Sequence, residues 1–119
     1  GAVSAEIYNT PFLLQLDLND NLLTGTIASE MGAVQFLQFV QFEDNKFTGS
    51  IPTELGNLEN LQIFEAFSNE LSGSMPQEVC NLRTINGNGR FLTRLTVDCD
   101  VGEQFFVNCS VPDCCTDCP

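Results

Sequence analysis

The chain has 119 residues, of which 43% are hydrophobic, and this is enough for one small domain with a single core. Sixteen acidic residues against four basic ones give a net charge of −12, which repels nucleic-acid phosphates and anionic lipid headgroups. No apolar run approaches the ~20 residues needed to cross a bilayer, so we expect neither nucleic-acid binding nor membrane insertion by this segment.

The sequence repeats itself every 24 residues. This interval relates three asparagines, three glycines and three apolar residues, namely Asn21, Asn45 and Asn69, then Gly25, Gly49 and Gly73, then Ile27, Ile51 and Met75. The period also extends towards the N-terminus, because Gly1 and Leu13 precede Gly25 and Leu37 by the same interval. A fixed period of this length is typical of a stacked-repeat solenoid, whose ends need atypical capping units. No such unit precedes Gly1, so we expect the C-terminal portion of a longer protein.

Each repeat begins with a pattern that predicts a strand, as in Leu13-x-x-Leu16-x-Leu18. Alternation places Leu16 and Leu18 inside, while Gln15, Asp17 and Asn19 point outwards. Stacking of the repeats then produces a parallel sheet. The three asparagines follow the strands and are predicted to be buried, with their amides bonded to the backbone of adjacent coils. The three glycines are predicted at turns that require an unrestricted backbone.

Apolar residues at intervals of three and four predict one short helical turn in each of residues 27–34, 51–58 and 75–82. A fourth strand is expected at Leu92-x-x-Leu95-x-Val97, which starts 31 residues after Leu61 and leaves an insertion near residues 85–91. Its Gly- and Asn-rich composition predicts a surface loop. Arg83, Arg90 and Arg94 lie around it.

All six cysteines lie in the last 40 residues: Cys80, Cys99, Cys109, Cys114, Cys115 and Cys118. An even number concentrated beside a cysteine-free repeat array predicts a disulfide-bonded cap formed in an oxidising compartment. A zinc site is the competing interpretation, but the chain has no histidine. Six cysteines allow about 15 pairings, so the connectivity stays open, although the adjacent Cys114 and Cys115 should take different partners.

These segments resemble the leucine-rich repeat, L-x-x-L-x-L-x-x-N-x-L. The sequence Thr48-Gly49-Ser50-Ile51-Pro52 resembles the T-G-x-I-P motif of the plant-type extracellular class. The cysteine-rich end is similar to the caps of diatom secreted or surface leucine-rich-repeat proteins. The resemblance implies an α/β solenoid, a right-handed coil with a concave parallel sheet and short helical turns on the convex side. We expect repeats over residues 1–98 and a cap over residues 99–119, to which Cys80 contributes.

The side chains that point outwards from the strands are the candidate binding surface. These partner-binding candidates are Gln15, Asp17, Phe39, Gln41, Glu43, Ile63, Glu65, Phe67 and Arg94. Among them, Phe39, Ile63 and Phe67 should form an exposed apolar patch bordered by carboxylates, which is typical of a recognition surface. The resemblance implies a protein or peptide partner, and the acidic surface favours a cationic one. We therefore predict a non-catalytic extracellular recognition module, part of a receptor-like, adhesive or inhibitor protein, with no cofactor.

Two alternatives stay open. Carboxylates on adjacent strands suggest an adhesive matrix component that depends on calcium or polysaccharide. A glycoside hydrolase is more distant, because the open face of a solenoid offers no means of separating the pKa values of two carboxyl groups.

Overall fold

The computed structural model describes residues 1–83, 91–109 and 114–119. In chain order, its short strands are β1 (Gln15–Asp17), β2 (Phe39–Gln41), β3 (Thr48–Gly49), β4 (Ile63–Glu65), β5 (Glu70–Leu71) and β6 (Arg94–Thr96). The helical turns are three 3-10 helices, Ala5–Asn9, Ser29–Ala33 and Thr53–Asn57, and one α-helix, α1 (Gln77–Cys80). Each predicted helical turn is thus present, because a single short turn suffices to return the chain to the next strand.

The first strands of successive repeats form one four-stranded parallel sheet in the order β1-β2-β4-β6. Residues 24 apart pair in register, as in Gln15 with Phe39 and Phe39 with Ile63. Ile63 then pairs with Arg94, so the longer interval before β6 leaves the register intact. The predicted solenoid with a parallel sheet is confirmed.

A second, smaller parallel sheet joins β3 and β5, and an isolated bridge between Thr26 and Thr48 extends it. No sequence pattern predicted this sheet, because strands of two residues are too short to show alternation. Gly25, Gly49 and Gly73 lie beside these bridges with φ values of 86°, 79° and 77°. This is the left-handed region, so the predicted need of these glycines for an unrestricted backbone is confirmed, although Gly49 lies in β3 rather than in a turn.

The helical turns pack against each other on the opposite side of the coil. Gly32 lies so close to the next turn that a Cβ atom there would collide with the backbone carbonyl of Glu54. Gly56 is related in the same way to Glu78 of α1. These two glycines set the distance between successive helical turns.

The core is a continuous column of apolar side chains between the sheet and the helical turns. Its largest members meet as an aromatic cluster, in which the ring of Phe42 lies 5.2 Å from that of Phe47 and 6.3 Å from that of Phe64. All three are 1% exposed. Leu18 and Leu23, which precede Phe42 and Phe47 by one period, are only half-buried because β1 is the edge strand among the described residues.

Side-chain amides connect the coils after each strand. The Asn45 amide donates to the carbonyl oxygen of Leu18 at 2.8 Å, and its side-chain oxygen accepts from the backbone N–H of Leu23 at 3.1 Å. Asn69 repeats both bonds one period later, with Phe42 and Phe47.

Of the three asparagines predicted to be buried, only Asn45 is; Asn69 is half-buried, and the largest departure is Asn21. It is exposed, and its amide donates only to carbonyl oxygens of its own coil, those of Leu18 and Asn19. The physical reason is that no described residue lies on the outer side of β1 to supply cross-coil partners.

The C-terminal segment holds three disulfides, which pair Cys80 with Cys114, Cys99 with Cys118 and Cys109 with Cys115. The adjacent Cys114 and Cys115 therefore take different partners, as predicted. Thr116 returns to the sheet, where its backbone N–H donates to Leu95 and its neighbour Asp117 forms a parallel bridge with Thr96. The end of the chain thus pairs with the outer edge of β6.

One prediction concerns residues that lie mainly outside the described ranges. The insertion is predicted near residues 85–91, and residues 84–90 are outside the described ranges. Only its last residue, Phe91, is described, and it is exposed. The surface position of the insertion stays a prediction, as does the division into repeats over 1–98 and a cap over 99–119. None of the helices in the described parts of the chain has the length and hydrophobicity to span a bilayer.

Candidate functional site

The concave sheet arranges the candidate residues in rows that run across the strands. The first row contains Gln15, Phe39, Ile63 and Arg94, which occupy one register position of the four strands. Neighbouring members are about 4.8 Å apart along the row, because this is the spacing of paired strands. Phe39 and Ile63 are therefore side by side at the centre of the sheet.

The second row contains Asp17, Gln41, Glu65 and Thr96. The bridge between Thr96 and Asp117 adds a fifth member to this row. Thr96 is only 5% exposed, and its hydroxyl lies 3.3 Å from the hydroxyl of Thr116. Thr96, which is small and buried, thus separates the acidic residues Glu65 and Asp117.

The backbone ladder continues beyond the strands and positions a third row. Asp20 N–H donates to the Glu43 carbonyl oxygen, and Asp44 N–H donates to the Phe67 carbonyl oxygen, both at 3.1 Å. Asp98, which follows β6, accepts hydrogen bonds from the backbone N–H groups of Ser68 and Asn69. It therefore joins the coil that contains β6 to the preceding coil.

Glu43 is the main departure from the predicted outward-facing row. It is 7% exposed, although the strand pattern placed it on the open face. Burial, and then the nearby carboxylate of Glu65, raise the pKa of Glu43 from 4.5 to about 7, with smaller contributions from Asp17 and Asp44. Its side chain thus changes charge near neutral pH in the middle of the acidic surface.

The apolar patch of Phe39, Ile63 and Phe67 is half-buried rather than exposed, which corrects the prediction. Its members shield one another within the sheet. The large hydrophobic side chains that are most exposed lie elsewhere, as in Phe12 and Leu22, at 77% and 74%. Phe12 stacks on Phe36 with ring centroids 5.8 Å apart, a pair that sequence reasoning missed although the two residues are 24 apart.

One ion pair crosses the concave surface, between the Arg94 guanidinium and the Glu65 carboxylate at 3.5 Å. The Arg94 side chain is 57% exposed and that of Glu65 is 14% exposed. Such a solvent-facing pair contributes at most about 1 kcal/mol to folding. Arg94 therefore stays accessible to a partner.

A cavity of about 410 Å³ lies where the concave sheet meets the C-terminal tail. Its lining combines four residues of the concave surface with three of the tail: Glu65, Phe67, Arg94 and Thr96, then Asp117, Cys118 and Pro119. Sequence reasoning assigned the tail to the cap alone. Residues 116–119 lack the repeat pattern, so no sequence signal placed them beside β6.

The acidic residues do not form a compact group of metal ligands. Within the described ranges, the only three potential ligand side chains that lie within 4.8 Å of one another are Cys109, Cys114 and Cys115. All three are in disulfides. The neighbouring Asp44 raises the pKa of Asp20, because the protonated carboxyl group can donate a hydrogen bond to the Asp44 carboxylate. Asp20 and Asp44 have left-handed φ values, 56° and 61°, and directly precede Asn21 and Asn45.

Comparison with known proteins agrees with this geometry. The Leucine Rich Repeat family model matches residues 36–58. None of the curated proteins compared with the chain is significantly similar to it in sequence.

Solved structures similar to this chain include ectodomains of plant receptors. The plant peptide hormone receptor RGFR1, solved in complex with RGF2, is 38% identical with a TM-score of 0.66, and the match covers 67% of this chain and 13% of that one. The GASSHO1/SCHENGEN3 ectodomain from Arabidopsis thaliana, in complex with CASPARIAN STRIP INTEGRITY FACTOR 2, is 33% identical with a TM-score of 0.67, covering 69% and 10%.

The ectodomain of the receptor kinase SOBIR1 from Arabidopsis thaliana is 28% identical with a TM-score of 0.70, covering 81% of this chain and 48% of that one. The chain thus spans about an eighth of the length of the first receptor and about half of this one. The repeat geometry and these matches together show a leucine-rich-repeat fold whose coils are similar to those of plant receptor ectodomains.

Proposed function

We propose that this chain is a non-catalytic, extracellular recognition module that binds a protein or peptide partner on its concave face. The observation that carries the proposal is the central pair Phe39 and Ile63, which lies in register between Gln15 and Arg94 and beside the row that contains Asp17 and Glu65. Recognition surfaces are commonly built from a central aromatic and aliphatic contact inside a polar rim. Phe67 continues this patch, and Gln15, Asp17, Gln41, Glu65 and Arg94 form its rim.

Two similar structures support a peptide or protein ligand, since RGFR1 and GASSHO1/SCHENGEN3 were each solved in complex with a named partner. The charge of −12 favours a cationic partner, because long-range attraction accelerates association with opposite charge. Three disulfides are in keeping with an oxidising, extracellular compartment.

We further propose that the module is the C-terminal part of a larger array with a receptor-like, adhesive or inhibitory role. The half-buried state of Leu18 and Leu23 supports this, since a further coil before β1 would cover them as the first coil covers the equivalent Phe42 and Phe47. That coil would also offer Asn21 the cross-coil bonds that Asn45 and Asn69 make. The likeness of the cap to diatom surface proteins stays part of this proposal.

The non-catalytic assignment rests on the available side chains. The chain has no histidine, and every cysteine is in a disulfide. A glycoside hydrolase would need two carboxyl groups in defined positions around a sugar, and the acidic residues here line an open sheet. For the calcium-dependent alternative, the described carboxylates would have to rearrange to supply several ligands. Neither alternative has a specific observation in its favour.

The test is capture of partners from extracellular extract by the immobilised protein, followed by binding of each purified partner. Wild type is compared with Phe39→Ala/Ile63→Ala, which removes the central pair and leaves the rim. We expect the double variant to weaken binding at least about tenfold, as for a central contact pair. A control variant, Phe12→Ala, removes an exposed ring outside the concave rows and should bind like wild type. Equal binding by wild type and the double variant would remove the concave patch as the site.

A further inference from the structure

We infer that the cavity between β6 and the C-terminal tail binds a single basic side chain, arginine or lysine, of the partner. This inference rests on the proposed recognition function and assigns a ligand class to one end of the same surface. Asp117 and Pro119 thereby become binding residues, although both lie outside the repeat pattern.

The cavity exists because a short residue interrupts a row of long ones. Thr96 lies between Glu65 and Asp117 in the second row and is buried, with its hydroxyl directed to Thr116. Two strand spacings separate the acidic positions, which is about 10 Å. A side chain that enters above Thr96 is therefore flanked by a carboxylate on each side.

The charges of the lining favour a cation. Glu65 and Asp117 contribute two carboxylates and Arg94 contributes one guanidinium, so the lining is negative overall. Arg94 contacts Glu65 at 3.5 Å, and within the described ranges no lysine or arginine forms an ion pair with Asp117. The carboxylate of Asp117 is thus available to a partner. An incoming carboxylate would meet Arg94 but also two negative neighbours, which disfavours it.

The apolar part of the cavity lining suits the methylene groups of an arginine or lysine side chain. Phe67 is half-buried at the edge of the cavity and faces the same space as Pro119. Arginine and lysine place their methylene groups along apolar surfaces and their cationic ends over aromatic rings. The volume of about 410 Å³ is near the lower end of the ~300–1,000 Å³ found for small-molecule sites, which suits one long side chain.

The experiment uses three synthetic peptides as probes. Each is a nine-residue Gly/Ser peptide with blocked ends and one central residue, which is arginine, its uncharged isostere citrulline, or glutamate. Each peptide is titrated into the 15N-labelled protein at low salt. We expect the arginine peptide to shift the amide signals of Glu65, Phe67, Thr96 and Asp117 and to bind about fivefold more tightly than the citrulline peptide.

Variants identify the group responsible. Asp117→Asn should weaken binding of the arginine peptide about threefold or more, and a melting curve will verify that it folds. Glu78→Gln, which removes a charge on the helical side, is the matched control and should bind like wild type. Equal affinity for arginine and citrulline, an unchanged affinity in Asp117→Asn, or preferential binding of the glutamate peptide at these residues would each overturn the inference.

Failure of this inference is distinguishable from failure of the proposed function. Phe39→Ala/Ile63→Ala leaves every lining residue of the cavity in place, so it should bind the arginine peptide normally while losing the extracellular partner. If the arginine peptide binds at the cavity but the double variant still captures partners, the cavity stands and the central patch is wrong. If the double variant loses partners but the arginine peptide does not bind, the central patch stands and the assignment of the cavity is wrong.

Discussion

The side-chain oxygen of Asn69 accepts a hydrogen bond from the backbone N–H of Phe47, which precedes it by 22 residues, at a distance of 3.0 Å. The amide of the same side chain donates to Phe42 at 3.0 Å. One polar side chain thus satisfies a donor and an acceptor of the previous coil, where the backbone turns inwards and forms no sheet. The integrity of the solenoid depends on such bonds, because unpaired buried backbone groups are costly.

Replacement of Asn69 or Asn45 by alanine should therefore lower the free energy of unfolding by about 1–3 kcal/mol, as expected for unsatisfied buried groups. Asn21→Ala is the matched control, because Asn21 bonds only to its own coil and is exposed. It should cost at most about 1 kcal/mol. Urea unfolding measures all three, and equal losses would show that the cross-coil bonds do not matter.

Glu43 should make stability depend on pH. Its folded-state pKa of about 7 lies above the ordinary 4.5, so the folded protein holds this proton more tightly than the unfolded chain does. The stability from this group is therefore complete at low pH and is lost as the pH rises from 4.5 to about 7.

Glu43→Gln removes this dependence because it keeps a neutral side chain of similar shape. We expect the variant to be more stable than wild type by about 1–3 kcal/mol at pH 8, and the difference to shrink towards pH 4. Glu78→Gln on the helical side is the control. Parallel stability curves for Glu43→Gln and wild type from pH 4 to pH 8 would contradict the assigned burial of Glu43.

Gly32→Ala tests the spacing of the helical turns. A Cβ atom at this position would collide with the backbone carbonyl of Glu54, which cannot move without shifting the next coil. The substitution should cost about 1–3 kcal/mol, as for overpacking of a core. Gly102→Ala is the control, because its Cβ would meet only a side-chain oxygen of Asp100 at 3.4 Å and should change stability by less than about 0.5 kcal/mol. Equal thermal melting of the two variants would be inconsistent with the close approach at Gly32.

The disulfides should differ in their contribution to stability. Cys80 and Cys114 are separated by 34 residues, whereas Cys109 and Cys115 are separated by 6. In the loop-entropy description, the longer loop stabilises by about 1.5 kcal/mol more. Cys80→Ala/Cys114→Ala should therefore unfold at lower denaturant than Cys109→Ala/Cys115→Ala. The opposite order would indicate that local packing around the cap, rather than loop closure, dominates.

The 24-residue period was sufficient to predict the parallel sheet, its register and the helical turns, because stacked coils require equivalent residues at equivalent positions. Leu16, Val40 and Phe64 could be assigned to the core from their spacing alone. The fourth strand followed from the Leu92-x-x-Leu95-x-Val97 pattern despite the longer interval before it.

Tertiary structure decided what the period cannot encode. The burial of Glu43 depends on its neighbours in adjacent coils, and the exposure of Asn21 depends on β1 being an edge strand. The fifth position of the second row is supplied by Asp117, which enters the sheet through disulfide-linked backbone and carries no repeat signal. A local pattern specifies which way a side chain leaves its own strand, whereas the environment it meets is set by segments far away in the sequence.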